Sequence, residues 1–268
     1  HSKVKEVIYS HVDSDLRSKN KAKKILNLKK IKVKKDLLIK QTKKLYKDYN
    51  YIKKNKLPYV IGKIACSKNF FIYKNKTLIT NEHSHKVSHL LRYKNHGILT
   101  SYKTINKDNP KLTCRLNGLE RYSPKKIIID KDLKIKISSN IIKNSKKSNT
   151  IIFHNSKNLK KINILKKKGL NLILFNTEDD NYFNLKKLLK KIYLLGINNL
   201  LVECGKDLTQ KMILNNLFNE FYLFKGNKYL TGKGKKSVLN IKNSVNKVFK
   251  NKTFINTYLD KDRLIHYY

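Results

Sequence analysis

The amino-acid sequence predicts an α/β fold built on a largely parallel, mixed β-sheet flanked by helices. Short apolar runs alternate with amphipathic segments along most of the chain, which is the order expected of strands joined by helical crossovers. The apolar runs are rich in Ile, Leu, Val and Phe, as in strands that are buried on both faces. With 268 residues, 40% of them hydrophobic, the chain can bury the core of one large domain with a smaller appended piece.

The first 56 residues carry the most charge and predict a short helix–strand–helix unit. "RSKNKAKKILNL" predicts a helix, "IKVK" a short strand, and "KDLLIKQTKKLYKDYNYIKK" a second helix. In the last segment Leu38, Leu45, Tyr49 and Ile52 recur at near-helical spacing. The chain begins at His1 without an initiator Met, which predicts a fragment or a processed product.

From Pro58 onward the predicted elements alternate regularly. Strands are predicted at 59–67, 97–101, 125–130, 149–155, 171–176, 198–205, 220–226 and 263–268. Helices are predicted at 80–94, 183–197 and 206–217. Asn81 or Thr80 is suited to begin the first of these helices, and Gly196 to end the second. The segment 104–115, which holds Asp108 and the pair Asn109-Pro110, is predicted to be a turn-containing loop.

The charge of the chain raises the question of a nucleic-acid partner. Its formal net charge is +44, with 62 Lys and Arg residues, and such a charge attracts polyanions. Most of these residues are Lys and they are spread from end to end, whereas nucleic-acid modules concentrate charge on one face and use Arg to read bases. The pattern favours a solvated lysine-rich surface without a specific nucleic-acid partner. A polyanion-binding protein without an active site stays as the alternative.

The cysteines and apolar runs indicate a cytoplasmic protein without a metal site. Cys66, Cys114 and Cys204 lie far apart in the sequence and form no CxxC pair, so neither a disulfide framework nor a zinc site is predicted. His83, His85 and His89 are predicted to be surface histidines because no further ligand accompanies them. No apolar run reaches the roughly 18–20 residues of a membrane span, and no membrane partner is expected.

Two features could carry chemistry. In "LLVECGKDLTQ" an apolar strand runs into Glu203 and Gly205 and then into a helix, whose first N–H groups can bind a phosphate. An ordinary strand–helix turn is the alternative. Arg92 and Arg115 stand out because Arg is scarce in this chain, and a guanidinium binds phosphate or carboxylate through two parallel hydrogen bonds.

Taken in order, several segments resemble one known family. They are "LPYVIGKIACS", "LITNEHSHKVSHLLRYKNHGILTSYKTINKDNPKLTCRLNGLERYSPKKIIIDKDLKI", "INNLLVECGKDLTQ" and "NEFYLFKGNKYLTGKGKKSV". Over residues 57–268 the chain resembles the reductase half of the bifunctional riboflavin-biosynthesis deaminase/reductase. Residues 1–56 resemble a C-terminal remnant of the preceding cytidine-deaminase-like domain, but the zinc motif of that domain is absent from the sequence and no deaminase activity is expected.

The resemblance implies a fold, an activity and a set of site residues. The fold would be dihydrofolate-reductase-like, and the enzyme would use NADPH to reduce the ribosyl group of 5-amino-6-(5-phosphoribosylamino)uracil to the ribityl form. A homodimer or larger homo-oligomer is implied as well. Asp108 takes the catalytic position. The cofactor positions are Ala65, Thr104, Asp108, Gly205, Lys206, Asp207, Leu208 and Thr209. The substrate positions are Arg92, Leu112, Arg115 and Glu203.

The chain departs from the family pattern at one wall of the implied cofactor site. "SKNFF" stands where the family usually has Leu-Asp-Gly after the serine of the first strand, and Leu78 stands where a Trp is common. A reductase-like chain that has lost its activity is therefore a further alternative.

Overall fold

The structure is a computed structural model that describes residues 4–15, 17–72, 78–145, 149–178, 182–232, 235–255 and 259–268. The chain folds into two compact units, residues 1–59 and 60–268. None of the helices in the described ranges is long and apolar enough to cross a membrane. The three cysteines are all free thiols.

The first unit contains a small parallel pair of strands and three helices. Its elements are β1 (Glu6–Ile8), α1 (Lys21–Leu28), β2 (Lys32–Lys34), α2 (Ile39–Leu45) and α3 (Lys47–Asn55). The single helix predicted over 35–54 is wrong, because α2 and α3 meet at Tyr46, whose backbone angles (φ −97°, ψ 18°) leave the helical region.

The second unit holds the remaining elements. Its strands are β3 (Tyr59–Cys66), β4 (Phe71–Ile72), β5 (Gly97–Ser101), β6 (Lys125–Ile129), β7 (Thr150–His154), β8 (Asn171–Leu174), β9 (Asn199–Val202), β10 (Glu220–Lys225), β11 (Lys236–Ser237), β12 (Lys252–Ile255) and β13 (Arg263–Tyr267). Strand β3 begins at the last residue of the first unit. Its helices are α4 (Glu82–Tyr93), α5 (Tyr102–Asp108), α6 (Asn140–Lys143), α7 (Leu159–Lys167), α8 (Leu185–Leu194), α9 (Lys206–Leu214) and α10 (Leu239–Val248), with a 3₁₀ turn at Glu120–Tyr122.

The main sheet is mixed and largely parallel, as predicted. Its strand order is β12-β13-β10-β3-β9-β5-β6-β7-β8. Strand β10 is parallel to β3, and β9, β5, β6, β7 and β8 are joined by parallel pairings. Only β13 pairs antiparallel to its neighbours β10 and β12 within the described part of this sheet. The carboxyl ends of β9, β5 and β6 therefore share one edge, where α/β proteins bind their ligands.

The central strands are buried because helices cover both faces of the sheet. All five residues of β7 are buried, and so are the first four of β5. One apolar cluster joins Ile98, Ile128 and Leu201 of three strands to Leu91 of α4 and Leu165 of α7. Burying one such side chain contributes about 1.5–3 kcal/mol, so this packing fixes the sheet edge that carries the site.

The segment 104–115 was predicted to be a loop, but its first residues belong to a helix. Helix α5 covers Tyr102–Asp108, and the hydroxyl of Ser101 caps it by accepting a hydrogen bond from the Thr104 amide. The predicted turn residues end this helix: Asn109 adopts the left-handed conformation (φ 43°) at its C-terminus, and Pro110 disfavours further helix. The turn at Asn109-Pro110 was predicted, but the helix that precedes it was not.

Other short elements were also missing from the sequence prediction. Helices α6, α7 and α10 were not predicted, and neither were β1, β4, β11 and β12. Helix α10 buries only Ile241 and Val245, so its apolar pattern is too sparse to identify a helix from periodicity. Helix α4 was predicted, and Asn81 is confirmed as its N-cap, because the side chain accepts from the Ser84 amide at 2.9 Å.

Candidate functional site

An ionic cluster lies where α4 packs against the end of β9. Two parallel hydrogen bonds join Arg92 to Glu203, from Nε to Oε1 at 2.8 Å and from Nη2 to Oε2 at 2.9 Å. Lys63 of β3 places its Nζ 3.8 Å from Oε2 of the same carboxylate. The three side chains are only 12–13% exposed. The structure thus brings together two predicted substrate residues, Arg92 and Glu203, and adds Lys63.

The two cations decide the charge state of Glu203. Burial alone would raise the pKa of this carboxyl, but Arg92 and Lys63 outweigh that effect and lower it to about 2. Burial lowers the pKa of the Lys63 ammonium, while Glu203 acts in the opposite direction. One carboxylate therefore faces two cations, which leaves a net positive charge in a largely enclosed place.

Lys63 was not predicted as a site residue, although its sequence context carries a signal. Lys63 is the charged position in "YVIGKIAC", a strand whose neighbours Gly62 and Ile64 are buried. A Lys inside a strand of this kind is costly unless a partner compensates it. The acid that follows a neighbouring strand could have been considered as that partner.

The segment after α5 is tied to α4 by its backbone. The carbonyl oxygen of Thr113 accepts a hydrogen bond from Arg92 Nη1 at 3.2 Å. It also lies 3.0 Å from Nδ1 of His89, which in turn lies 3.2 Å from the Arg115 amide nitrogen. These contacts place the Arg115 side chain at the rim of an open pocket of about 530 Å³ that His85 and His89 also line.

Of the three histidines predicted to lie on the surface, one is buried and one is partly buried. His83 is exposed as expected, but His89 is buried and His85 is partly buried. Burial, together with the charges of Arg92 and Arg115, lowers the pKa of His89 to about 4. The buried residues of this helix are Ser84, Ser88, His89 and Leu91, while Leu90 is exposed, so its apolar residues alone do not mark the buried face. Within the described ranges, no group of three or more His, Cys, Asp or Glu side chains is arranged to hold a metal ion.

The predicted cofactor residues meet at the carboxyl edge of β5 and β9. Gly205 is the N-cap of α9, and a Cβ added to it would lie 3.7 Å from Oγ1 of Thr104. The amides of the first turn of α9, which includes Lys206, Asp207 and Leu208, have no partner inside the helix. The start of α9 therefore offers backbone amides beside Thr104, and such amides can bind a phosphate.

The side chains of two predicted site residues, Thr209 and Leu112, are buried. Thr209 is buried, and its Oγ1 lies 3.2 Å from the Cys204 sulfur, so its side chain supports the turn from behind. Leu112 is 3% exposed and its side chain packs in the apolar core, so this side chain is not available to a ligand. Ala65, near the end of β3, is partly exposed and pairs with Phe224.

Asp108, the predicted catalytic residue, lies at the C-terminus of α5 and outside the ionic cluster. It is the last residue of α5 and is exposed. In the described ranges its side chain makes no hydrogen bond or ion pair with Arg92 or Arg115. Desolvation by nearby atoms raises the pKa of its carboxyl, and Lys107 lowers it. The structure therefore shows no direct contact between the Asp108 carboxylate and either arginine.

Two proteins from Aquifex aeolicus are similar in sequence to part of this chain. A riboflavin biosynthesis protein RibD from Aquifex aeolicus is 32% identical over 146 residues, which is 54% of this chain and 39% of the relative. A 2,5-diamino-6-ribosylamino-4(3H)-pyrimidinone 5′-phosphate reductase from the same organism is 27% identical over 62% of this chain and 75% of the relative. The chain thus spans well under half of that RibD protein.

A solved structure extends the likeness of fold to nearly the whole chain. The diaminohydroxyphosphoribosylaminopyrimidine deaminase/5-amino-6-(5-phosphoribosylamino)uracil reductase of Thermotoga maritima superposes with a TM-score of 0.74, at 23% identity over 98% of this chain and 70% of that one. The sequence model of the RibD C-terminal domain matches residues 72–255, which is more than half of the 268 residues. The match covers α4, α5, Glu203 and the Gly205 turn. The chain therefore belongs to the RibD C-terminal domain family.

Proposed function

We propose that this chain reduces the ribosyl group of 5-amino-6-(5-phosphoribosylamino)uracil to the ribityl form in riboflavin biosynthesis, with NADPH as the reductant. The names of two relatives support a reductase acting on a phosphorylated ribosylaminopyrimidine. When bound, the nicotinamide supplies a hydride to the first carbon of the sugar after the ring has opened to an imine.

One observation carries this proposal. Glu203, which holds Arg92 and Lys63, is followed after one residue by Gly205, which faces Thr104. The carboxylate that would bind a polar substrate and the turn that would bind a dinucleotide thus lie within three consecutive residues, 203–205. The residues fit the cofactor, because Gly205 leaves room beside Thr104 and α9 offers free amides. Thr104, Gly205, Lys206, Asp207 and Leu208 would hold it, with Ala65 nearby.

The chain's own residues would bind the sugar and handle its protons. Arg92 and Lys63 fix the carboxylate of Glu203, which then accepts hydrogen bonds from sugar or pyrimidine groups at a defined position. Opening of the ribosylamine ring delivers a proton to the ring oxygen. We assign this proton transfer to Asp108, which takes the catalytic position in the family resemblance, and desolvation raises the pKa of its carboxyl.

We also propose that the first unit derives from a different domain. We take residues 1–56 to be the C-terminal part of a cytidine-deaminase-like domain that lacks the residues for zinc. The match of the Thermotoga bifunctional protein to 98% of the chain supports it. The reductase unit would then act without deaminating its substrate, as a homo-oligomer in the cytoplasm.

A second candidate substrate follows from one relative. The Aquifex reductase is named for 2,5-diamino-6-ribosylamino-4(3H)-pyrimidinone 5′-phosphate, the form that still carries the amino group removed by deamination. The two substrates share the ribosyl phosphate and differ on the pyrimidine ring. Steady-state rates with each compound, measured side by side, decide between them.

Arg115→Lys is expected to raise the Michaelis constant of the pyrimidine substrate by roughly tenfold and to leave that of NADPH nearly unchanged. Lysine keeps the charge but loses the planar fork that binds two phosphate oxygens at once. The exposed Arg121→Lys provides the matched control, for which neither constant should change. An equal rise in both constants for Arg115→Lys would move this residue to the cofactor side.

Ligand-dependent melting separates the reductase from the polyanion-binding alternative. At physiological salt, NADPH at about 100 times its dissociation constant should stabilise the chain by about 2.7 kcal/mol. An equal concentration of phosphate charge supplied as duplex DNA should not. The reverse order, with DNA raising the melting temperature and NADPH having no effect, would favour the polyanion-binding protein.

A further inference from the structure

Four cationic side chains from four separate segments lie around the ring of Phe70. Lys225, the last residue of β10, places its Nζ 4.5 Å from the centroid of this ring, and Lys242 of α10 places its Nζ 4.8 Å from it. Arg263 of β13 is the cross-strand neighbour of Lys225. Lys68, which follows β3, contributes to the electrostatic field at Lys225. These four cations are called the Phe70 cluster below.

No acidic side chain balances the Phe70 cluster. Residues 64–81 and 221–259, which supply three of its four cations, contain no Asp or Glu. Among the residues that the structure describes, none of the four cations forms an ion pair. The acid nearest to the fourth cation in the sequence, Asp262, is buried and accepts hydrogen bonds from the Asn81 amide and the Ser84 hydroxyl instead. The cluster therefore carries an unbalanced positive charge.

The cations of the cluster repel one another. Lys225 and Arg263 lie directly opposite each other on neighbouring strands, and like charges in this arrangement are destabilising. Burial lowers the pKa of the Lys225 ammonium, and the charges of the other three cations lower it further, while Cys66 acts in the opposite direction. A bound anion would replace this repulsion by attraction.

The beginning of α10 also favours an anion at this place. Its N-cap residue is Val238, whose side chain cannot accept a hydrogen bond, and its first turn holds no acidic residue. The N-terminus of a helix carries a partial positive charge. This N-terminus lies beside the cluster, because the Val238 amide donates a hydrogen bond to the carbonyl oxygen of Phe70 at 2.9 Å. The partial charge of the helix thus adds to that of the four cations.

The cluster is built on the segment in which this chain departs from its family. Lys68, Asn69 and Phe70 follow Ser67 where the family usually has Leu-Asp-Gly. The backbone of Phe70 is left-handed (φ 60°), a conformation that Gly adopts freely and a bulky residue seldom does. The replacement brings one cation and one aromatic ring to the cluster, and the ring holds two ammonium groups by cation–π contacts. The cluster is therefore a feature of this chain, and the family resemblance does not imply it.

We propose that the Phe70 cluster binds a small anion with two or more negative charges, a phosphate or pyrophosphate group. The ammonium groups of Lys225 and Lys242 each lie within 5 Å of one ring centroid, so their charges act on the same small volume. A compact anion that concentrates its charge matches this arrangement, whereas a nucleic acid spreads its charge along a strand. None of the four cations belongs to the site proposed for the reductase, and the inference goes beyond that function.

The test is a calorimetric titration of the full chain with pyrophosphate, at constant ionic strength in a phosphate-free buffer. Lys225→Gln and Lys242→Gln should each weaken the binding by roughly tenfold, because a contact between opposite charges is lost. Lys247→Gln, at an exposed position of α10, is the matched control and should bind as the wild type does. The three variants have the same net charge, so a difference between them cannot come from the overall charge of the chain.

A spectroscopic measurement on the wild type decides the question even if a variant fails to fold. Pyrophosphate should shift the resonances of the side-chain CH₂ groups next to Nζ in Lys225 and Lys242 and leave those of Lys247 unchanged. Equal shifts in all three lysines would overturn the proposal. Equal affinity of Lys242→Gln and Lys247→Gln for pyrophosphate, or no binding by the wild type, would overturn it as well.

The same variants separate the small anion from two other ligands. The affinity for NADPH should be equal in Lys225→Gln and Lys247→Gln, and a selective loss in the first would assign the cluster to the cofactor and overturn a separate site. A single-stranded oligonucleotide should also bind both variants equally. Selective loss of oligonucleotide binding, with pyrophosphate binding retained, would overturn the proposal in favour of a nucleic-acid surface. Because pyrophosphate binding is measured without substrate, it can be present even if the chain oxidises no NADPH.

Discussion

Glu203→Gln is expected to lower the free energy of unfolding by about 3 kcal/mol and to abolish most of the reductase activity. The change leaves Arg92 and Lys63 buried without an opposing charge, and breaking a buried pair in this way typically costs about 3–5 kcal/mol. The pKa of Glu203, lowered from 4.5 to about 2, gives a similar value, since each unit corresponds to about 1.4 kcal/mol. Denaturant unfolding near pH 7 measures the loss.

A surface carboxylate provides the control for this prediction. Glu178 also lies 3.1 Å from a lysine, Lys187, but the two side chains are 45% and 73% exposed. Glu178→Gln should change the stability by no more than about 1 kcal/mol. If Glu203→Gln unfolds at the same denaturant concentration as the control, the ionic cluster does not hold the site together.

The same carboxylate gives a prediction for pH. Because the pKa of Glu203 is lower in the folded chain than in the unfolded chain, its stabilising contribution is complete above about pH 5. The contribution disappears as the pH falls towards 2, where the folded carboxylate takes up its proton. The difference in stability between the wild type and Glu203→Gln should therefore shrink progressively below pH 5, and a constant difference would contradict the assignment.

Asp108→Asn is expected to slow reduction by roughly ten- to a thousandfold while the fold stays intact. Asparagine keeps the shape of the side chain but cannot give up or take up the proton. Since the Asp108 side chain is exposed, its replacement should change the stability by less than about 0.5 kcal/mol. Turnover numbers at saturating NADPH, together with a denaturation curve, measure both effects.

The pH profile distinguishes proton transfer from a structural effect of this variant. If Asp108 acts as the acid, the wild-type rate falls as the pH rises through its raised pKa, and that limb is missing from the profile of Asp108→Asn. Asp132→Asn, on an exposed acid paired with Lys134, should leave both the rate and the profile unchanged. A normal rate for Asp108→Asn would return the end of α5 to the role of a surface turn.

The regular part of the fold could be predicted because its apolar pattern is continuous. Strands β5, β6 and β7 each bury consecutive residues, and the sequence shows this as short apolar runs such as Ile127-Ile128 and Ile151-Ile152-Phe153. Helix α5 shows the limit of such patterns. Only Ile105 is buried in this helix of seven residues, so the turn signals of Asn109 and Pro110 outweighed its weak helical pattern.

The site could be predicted only in part, because contacts between distant segments decide it. Arg92 and Glu203 were both singled out, but their pairing across 111 residues follows from the strand order, which periodicity does not reveal. Lys63 was passed over for the same reason, and His89 was predicted to lie on the surface although it is buried. In a chain with 62 basic residues, a buried cation looks like any surface lysine until the fold shows what surrounds it.

The central claim is tested most directly by the loss of NADPH absorbance when the chain is mixed with 5-amino-6-(5-phosphoribosylamino)uracil. We expect the absorbance to fall with this substrate and the ribityl product to form in equal amount. We also expect no ammonia from the corresponding undeaminated pyrimidine, with or without added zinc, because the chain lacks the ligands that a zinc deaminase needs. Absence of NADPH oxidation with both pyrimidines would contradict the reductase assignment, and release of ammonia would contradict the proposed origin of residues 1–56.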